Sequence, residues 1–197
     1  MSKTSINELN MNKLSVKQLS DSQLLEEIGR QNKQALSELY DRYKHSLGAF
    51  LMRKLNQQKL VDEVYNDVMY TIWDKATTFR GDSKVSTWIF GIAYRQCLSH
   101  YRKESKHSDR LEYAELDDLP QKDETNADEN LHIALASLNE KHRTVIDLAY
   151  YYGHSVTEIS DIIDCPVNTV KTRLFHARQY LKEKLQHQST HDSYCSL

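Results

Sequence analysis

The sequence contains few of the residues that interrupt helices. Its 197 residues include five glycines and two prolines, which disfavours many short strands and favours helices. Cysteine is also scarce, because Cys97, Cys165 and Cys195 are the only three and lie far apart. Their odd number and wide spacing imply no disulfide framework, as is usual in the reducing cytoplasm. The composition therefore predicts an all-α protein.

Long apolar runs are missing as well. The N-terminus, MSKTSINELNMNKL, lacks the apolar core of a signal peptide, and no stretch approaches the roughly 20 apolar residues that cross a bilayer. We therefore expect a soluble, cytoplasmic protein without membrane insertion. The sequence also lacks a glycine-rich phosphate loop, a nucleophile elbow and a paired His–Glu motif. These absences argue against an enzyme and give no reason to expect a cofactor.

Charge of neither sign dominates, but charge is distributed unevenly. The net charge is −2, yet residues 84–110 carry +4, residues 111–130 carry −7 and residues 165–187 carry +4. The local field, rather than the net charge, decides where phosphate groups bind. Two basic segments on either side of an acidic one are therefore compatible with binding to nucleic acid.

Apolar residues recur at steps of three and four on both sides of the acidic segment, which predicts two helical modules. Ser20 and Gln23 have the spacing of a capping box at the start of the first module. The acidic segment loses this periodicity and contains Pro120, so we interpret it as a flexible linker. We divide the chain into a polar tail (1–20), a first helical module (21–107), an acidic linker (108–130), a second helical module (131–187) and a second polar tail (188–197).

Two helices of the first module have contrasting patterns. Residues from Val61 to Trp73 form one continuous apolar stripe, and the opposite face is acidic and rich in amides. The segment from Ser86 to Lys103 is aromatic, is apolar almost all round and becomes basic at its end. The second pattern indicates a helix with contacts on more than one side.

The second module ends in the stretch CPVNTVKTRLFHARQYL. Ser155 and Glu158 predict a capped helix before it, which the Cys165–Pro166 pair ends. We expect Asn168 or Thr169 to cap the next helix. Plotted at 100° per residue, that helix has an apolar side for the core and an opposite side of Thr, His and Gln flanked by cations. This layout suits a helix-turn-helix that enters the major groove, although a solvated amphipathic helix would give the same pattern.

Two long stretches resemble one family. Residues 138–181 resemble region four of sigma-70-family factors, which reads the minus-thirty-five promoter element, and residues 61–103 resemble region two. The presence of these two regions with only a short linker between them resembles the extracytoplasmic-function group. The resemblance implies a factor that directs core RNA polymerase to promoters, and it covers roughly residues 21–186. The linker would match the segment that passes through the polymerase cleft.

The resemblance also implies site residues and partners. The partners would be the clamp and flap of core RNA polymerase and double- and single-stranded promoter DNA, and the resemblance allows an anti-sigma factor as a further partner. The positions that match the polymerase-binding face are Asp62, Glu63, Asn66 and Asp67. Those that match the minus-ten reader are Phe79, Phe90, Tyr94, Arg95, Arg102 and Lys103, whereas Trp88 and Ile92 are expected in the core. Those that match the minus-thirty-five reader are Thr169, Lys171, Thr172, Arg173, Phe175, His176 and Arg178.

Three positions depart from the family pattern. Many members carry Asn where this chain has Arg95, and Asn168 replaces a frequent glycine. His176 stands where arginine is common, so the resemblance implies that bidentate readout of guanine is lost there.

Two other functions fit parts of the sequence. A stand-alone helix-turn-helix regulator would use the second module alone and would need a sensor or dimerisation domain in the first. A metal or redox sensor would use His187, His191 and Cys195, which have four-residue spacing in the polar tail. Three potential ligands in a polar tail are weak evidence for a metal site, and we predict none.

Overall fold

The structure is a computed structural model that describes residues 16–107 and 127–192, with side chains for residues 16–103 and 130–186. These residues form helices and no strand, as the composition predicts. The contacts within the chain divide it into two units, Met1–Ser108 and Asp109–Leu197. Most of the predicted linker, residues 108–126, lies outside the described residues.

Between Asp21 and His107, the described residues of the first unit form four α-helices and one short 3₁₀ turn. In chain order they are α1 (Asp21–Gly29), α2 (Lys33–Leu55), α3 (Gln58–Lys75), the 3₁₀ turn (Ala76–Thr78) and α4 (Val85–His107). Ser20 caps α1 in the predicted capping box with Gln23. The Asn32 side chain accepts hydrogen bonds from the backbone of α2, and Asn56 ends that helix in a left-handed conformation. Local capping residues therefore set where these helices begin and end.

The core of the first unit lies where α2, α3 and α4 pack together. The predicted stripe of α3 is buried from Val61 to Ile72, while Trp73 at its end is partly exposed. Phe50 of α2 and Ile89 of α4 are fully buried against it. Burying each such side chain contributes roughly 1.5–3 kcal/mol to stability. This shared core therefore holds α3 and α4 against each other.

A polar cluster ties α1 to α2. One carboxylate oxygen of Asp21 accepts a hydrogen bond from Tyr43 Oη at 2.6 Å, and the other accepts one from Arg42 Nη1 at 2.9 Å. Arg42 also pairs with Glu38 on its own helix. Burial, together with the hydrogen bond to Asp21, raises the pKa of Tyr43. The Tyr43 hydroxyl therefore stays neutral and acts as the donor.

Replacing Asp21 with alanine should lower the free energy of unfolding of the first unit by about 1–3 kcal/mol, because the buried Tyr43 hydroxyl loses its acceptor. The Asp21→Asn variant keeps an acceptor oxygen and should lose less. Thermal unfolding followed by circular dichroism measures both. Equal losses for the two variants would show that the charge of Asp21, rather than its acceptor, stabilises the contact.

The described residues of the second unit, 127–192, form four α-helices with a π-helical turn after the second. They are α5 (Ala127–Ala136), α6 (Glu140–Ile146), the π turn (Asp147–Tyr151), α7 (Val156–Ile163) and α8 (Val167–Asp192). Ile159 and Ile162 of α7 and Val170 and Leu174 of α8 are buried together with α6. The helix-turn-helix therefore has its own core. Ser155 and Glu158 form the predicted capping box at the start of α7.

The start of α8 differs from the expectation. The helix begins at Val167, and the backbone N–H groups of Thr169 and Val170 both donate to the carbonyl of Pro166. Asn168 and Thr169 are thus already inside the first turn and do not cap it. Pro166 instead stands directly before the helix, where its fixed φ suits a helix start and its missing N–H costs nothing.

Candidate functional site

The outer face of α3 is a strip of exposed acids and amides. Asp62, Glu63, Asn66 and Asp67 are all exposed, so the structure brings the four predicted residues to one surface. Asp62 accepts a hydrogen bond from Gln58 at 2.8 Å, and Asp67 Oδ2 lies 3.9 Å from His100 Nε2 of α4. This strip, the α3 acidic face, offers an anionic surface to a cationic partner.

Tyr70 lies on the same helix, next to this face, and 71% of its surface is exposed. Tyrosine is a residue type that is enriched at protein interfaces. The sequence places Tyr70 on the polar side of the stripe, but its type alone gave no reason to include it among the candidate residues. The α3 acidic face therefore has an exposed aromatic ring beside its acids.

The loop before α4 and the outer side of α4 carry aromatic and basic groups. Phe79 is half-buried, with its ring 5.5 Å from that of Trp88. Arg95 is exposed, and its guanidinium lies along Gly91, where an added Cβ would come within 3.3 Å of Nη1. Gly91 thus leaves room for this side chain. The remaining predicted residues at this surface, Tyr94, Arg102 and Lys103, are partly or fully exposed.

Phe90 does not lie on that surface. Only 3% of it is exposed, and its ring packs edge-on against Phe50 at 5.2 Å. It therefore belongs to the core, where no base can stack on it. Ile92 is buried as expected, whereas Trp88 is partly exposed at the edge.

The exposed side of α8 carries all seven residues predicted for minus-thirty-five recognition. Lys171, Thr172, His176 and Arg178 are exposed, Phe175 is 64% exposed, and Thr169 and Arg173 are partly exposed. Val170, Leu174 and Ala177 are buried on the opposite side. The Thr172 hydroxyl donates to the carbonyl of Asn168 at 2.9 Å, so toward a ligand it presents acceptor lone pairs. The helix thus offers cations, an aromatic ring and short polar groups from one side.

A histidine of α6 supports this helix. The His142 ring stacks on His176, with centroids 6.3 Å apart and planes inclined by 30°. Burial, then the nearby His176 and Arg173, lowers the pKa of His142. His142 is therefore neutral. Of the two stacked rings, the exposed imidazole of His176 is the one that a ligand can reach.

The turn between α7 and α8 contains a strained residue. Asp164 ends α7 with φ of 51°, in the left-handed region, and its N–H bonds the carbonyl of Ser160. Side chains branched at Cβ are disfavoured in this conformation, whereas glycine adopts it freely. This residue therefore sets the direction in which α8 leaves the turn.

Replacing Asp164 with valine should lower the free energy of unfolding of the second unit by about 1–2 kcal/mol. The glycine variant should stay within about 0.5 kcal/mol of the original protein. Thermal or chemical unfolding of the full chain compares the two directly. If valine and glycine were equally stable here, the left-handed conformation would have no energetic role.

The proposed sensor residues are not assembled in the described part of the chain. Among residues 16–107 and 127–192, no group of three or more His, Cys, Asp or Glu side chains is arranged to hold a metal ion. Cys195 and the side chains of His187 and His191 lie outside what is described. Cys97 is buried and Cys165 is partly exposed, and neither forms a disulfide. No helix in these ranges is apolar and long enough to cross a membrane.

Family comparisons match both units. The family described as Sigma-70 region 2 matches residues 39–107, and Sigma-70, region 4, matches residues 128–181. The two matches cover more than half of the 197 residues. Every candidate residue on α3, α4 and α8 falls inside them.

Individual relatives match over most of their length. The ECF RNA polymerase sigma-E factor of Escherichia coli K12 is 29% identical over 184 residues, covering 86% of this chain and 96% of the relative. The RNA polymerase sigma-H factor of Pseudomonas aeruginosa is 27% identical over 186 residues, covering 86% and 95%.

Solved structures show the same fold. CnrH in complex with the cytosolic domain of CnrY has a TM-score of 0.62 at 20% identity and covers 85% of this chain and 97% of CnrH. The sigma factor RpoE of Bartonella quintana, solved with the anti-sigma factor NepR, has a TM-score of 0.60 at 24% identity, covering 76% and 96%.

Proposed function

The chain belongs to the extracytoplasmic-function group of the sigma-70 family, and we propose from that membership how its surfaces divide the work of a sigma factor. It is an alternative sigma factor, which directs RNA polymerase to promoters and initiates transcription there. The observation that carries the proposal is the presence, in this order, of an acidic docking face on α3 and a cationic recognition face on α8.

We assign polymerase binding to the α3 acidic face. Asp62, Glu63, Asn66 and Asp67 would meet a basic surface on the polymerase clamp, where opposite charges speed encounter and fix the register. The exposed Tyr70 would lie at the centre of that contact. The flap of the polymerase would contact the second unit.

We assign minus-ten recognition to the surface formed by the loop before α4 and by α4 itself. Phe79 and Tyr94 supply aromatic faces for unstacked bases, each stacked base contributing roughly 1–3 kcal/mol. Arg95, Arg102 and Lys103 supply cations for the strand's phosphates. Phe90 supports this surface from the core and makes no contact with DNA.

We assign minus-thirty-five recognition to α8 in the major groove. Thr172 and His176 face base edges, Phe175 offers an apolar contact to a thymine methyl group, and Lys171 and Arg178 lie near the backbone. Thr169 and Arg173 complete the set. Many members of the family have arginine where this chain has His176. The minus-thirty-five element of this chain would therefore not require guanine at the base that His176 faces.

These surfaces offer a means of regulation, and the partners that they bind indicate a location. A protein of the anti-sigma class that covered the α3 acidic face or α8 would block polymerase or promoter binding. The cytoplasm is the compartment where the chain would find polymerase and chromosome. The chain itself supplies promoter choice, and the polymerase supplies catalysis.

Transcription with sigma-free core polymerase tests the proposal. Adding the purified chain to core polymerase and genomic DNA should produce transcripts with defined 5′ ends, and sequencing these ends gives both promoter elements. A stand-alone regulator would bind DNA but yield no new starts. Failure to bind core polymerase, where a known sigma factor binds, would overturn the assignment.

A further inference from the structure

Tyr150 is an exposed aromatic residue in the π turn between α6 and α7. Its surface is 62% exposed, and it follows the buried Leu148 in a turn of Asp147–Tyr151. Single π turns inside helical segments are uncommon and often mark functional positions. No role for Tyr150 follows from the sequence, because it lies outside the recognition helix.

Tyr150 contacts the guanidinium of one residue of the recognition helix. Arg178 Nε donates a hydrogen bond to Tyr150 Oη at 2.8 Å, and the guanidinium carbon lies 5.7 Å from the centre of the ring. Among the described residues these are the contacts of the Arg178 head group. The π turn thus reaches across to α8 and holds an otherwise exposed arginine.

This contact uses only one of the N–H donors of the Arg178 guanidinium. Nε is used by Tyr150, while the two Nη groups remain as a fork that suits two phosphate oxygens. Tyr150 thus holds the guanidinium without using the donors that an anion would bind. A held arginine also loses less side-chain freedom on binding than a mobile one.

We propose that Tyr150 is a positioning residue for promoter binding, which holds Arg178 so that its guanidinium binds one DNA phosphate beside the minus-thirty-five element. This inference rests on the proposed function of α8. It adds to that function a contact from the π turn that supports the phosphate contact of Arg178.

The test uses holoenzyme reconstituted from core polymerase and the full chain, with a promoter fragment taken from the mapped starts. We compare Tyr150→Phe, Tyr150→Ala, Arg178→Ala and the double variant Tyr150→Ala/Arg178→Ala. Tyr151→Phe is the matched control, because it removes a hydroxyl from the next residue of the same turn. Closed-complex affinity is measured over a range of salt concentrations, and thermal unfolding of each free chain is recorded.

Tyr150→Phe should weaken binding about threefold and Tyr150→Ala about tenfold, because the first loses the hydrogen bond and the second also loses the ring. Arg178→Ala should weaken it about tenfold or more and lower the slope of log affinity against log salt by about 0.9, the value for one phosphate. The double variant should match Arg178→Ala within about twofold, because Tyr150 acts through Arg178. Tyr151→Phe should bind as the original protein does.

Three results would overturn the proposal. One is full additivity in the double variant, and another is an unchanged salt slope for Arg178→Ala. The third is a lower melting temperature of the free Tyr150→Ala chain that accounts for its loss of binding, since this indicates a folding defect. If the original holoenzyme bound no promoter, the proposed function itself would fail, and that outcome is distinct from these three.

Discussion

Reversing the charges of Asp62 and Glu63 to lysine should weaken binding of the chain to core RNA polymerase about 100-fold or more. Both side chains lie on the exposed α3 acidic face. The double reversal would place two cations against a basic partner surface, and juxtaposed like charges cost several kcal/mol at an interface. A loss of about 2.8 kcal/mol corresponds to 100-fold in affinity. Equilibrium binding of labelled chain to core polymerase measures the change.

A matched control separates this local effect from a change in net charge. Glu26 of α1 and Asp41 of α2 are exposed acids elsewhere on the first unit, so changing both to lysine alters the net charge by the same amount. That variant should bind core polymerase within about threefold of the original, because neither acid belongs to the α3 acidic face and exposed charges outside a contact are screened. If both double variants lost affinity equally, the α3 acidic face would not be the docking site.

The salt dependence of binding affinity tests the same interface in a second way. The affinity of the original chain for core polymerase should fall as salt is raised, since the attraction depends on unscreened charge. Tyr70→Ala should weaken binding with little change in that salt dependence, because the ring contributes burial rather than charge. The two variants together therefore distinguish the steering charges from the aromatic ring.

The sequence predicts the helices well where local rules decide them. The buried stripe of α3 follows from a single period of three and four residues, and it matches the core found from Val61 to Ile72. The capping boxes at Ser20 and Ser155 involve residues three apart, so their geometry is local. Features that depend on a few neighbouring residues can be read directly from the chain.

The sequence fails where distant residues decide. Helix α4 is apolar almost all round, so periodicity cannot say which aromatic faces the core. Phe90 is buried because Phe50, forty positions earlier in α2, packs on it. Tyr150 was missed for the same reason, since its partner Arg178 is in another helix. Both contacts depend on how helices pack, which a single-helix plot does not contain.

Burial of Phe90 leads to the second large prediction. Replacing Phe90 with alanine should lower the free energy of unfolding of the first unit by about 3–5 kcal/mol, through lost burial and the cavity left behind. For a unit of this size, that loss lowers its melting temperature by more than about 10 °C. Polymerase and promoter binding should fall together, because α3 and α4 share this core. Thermal unfolding and hydrogen exchange of α2 to α4 measure the effect.

Phe175→Ala is the matched control, because it makes the same substitution at an exposed site in the second unit. It should change stability by no more than about 0.5 kcal/mol while weakening promoter binding at the minus-thirty-five element. The two variants therefore distinguish a core phenylalanine, which affects both stability and binding, from a DNA-facing one, which affects binding alone. If Phe90→Ala kept its melting temperature and lost only minus-ten recognition, Phe90 would be a stacking platform in solution, and the packing of α4 against α2 described above would be wrong.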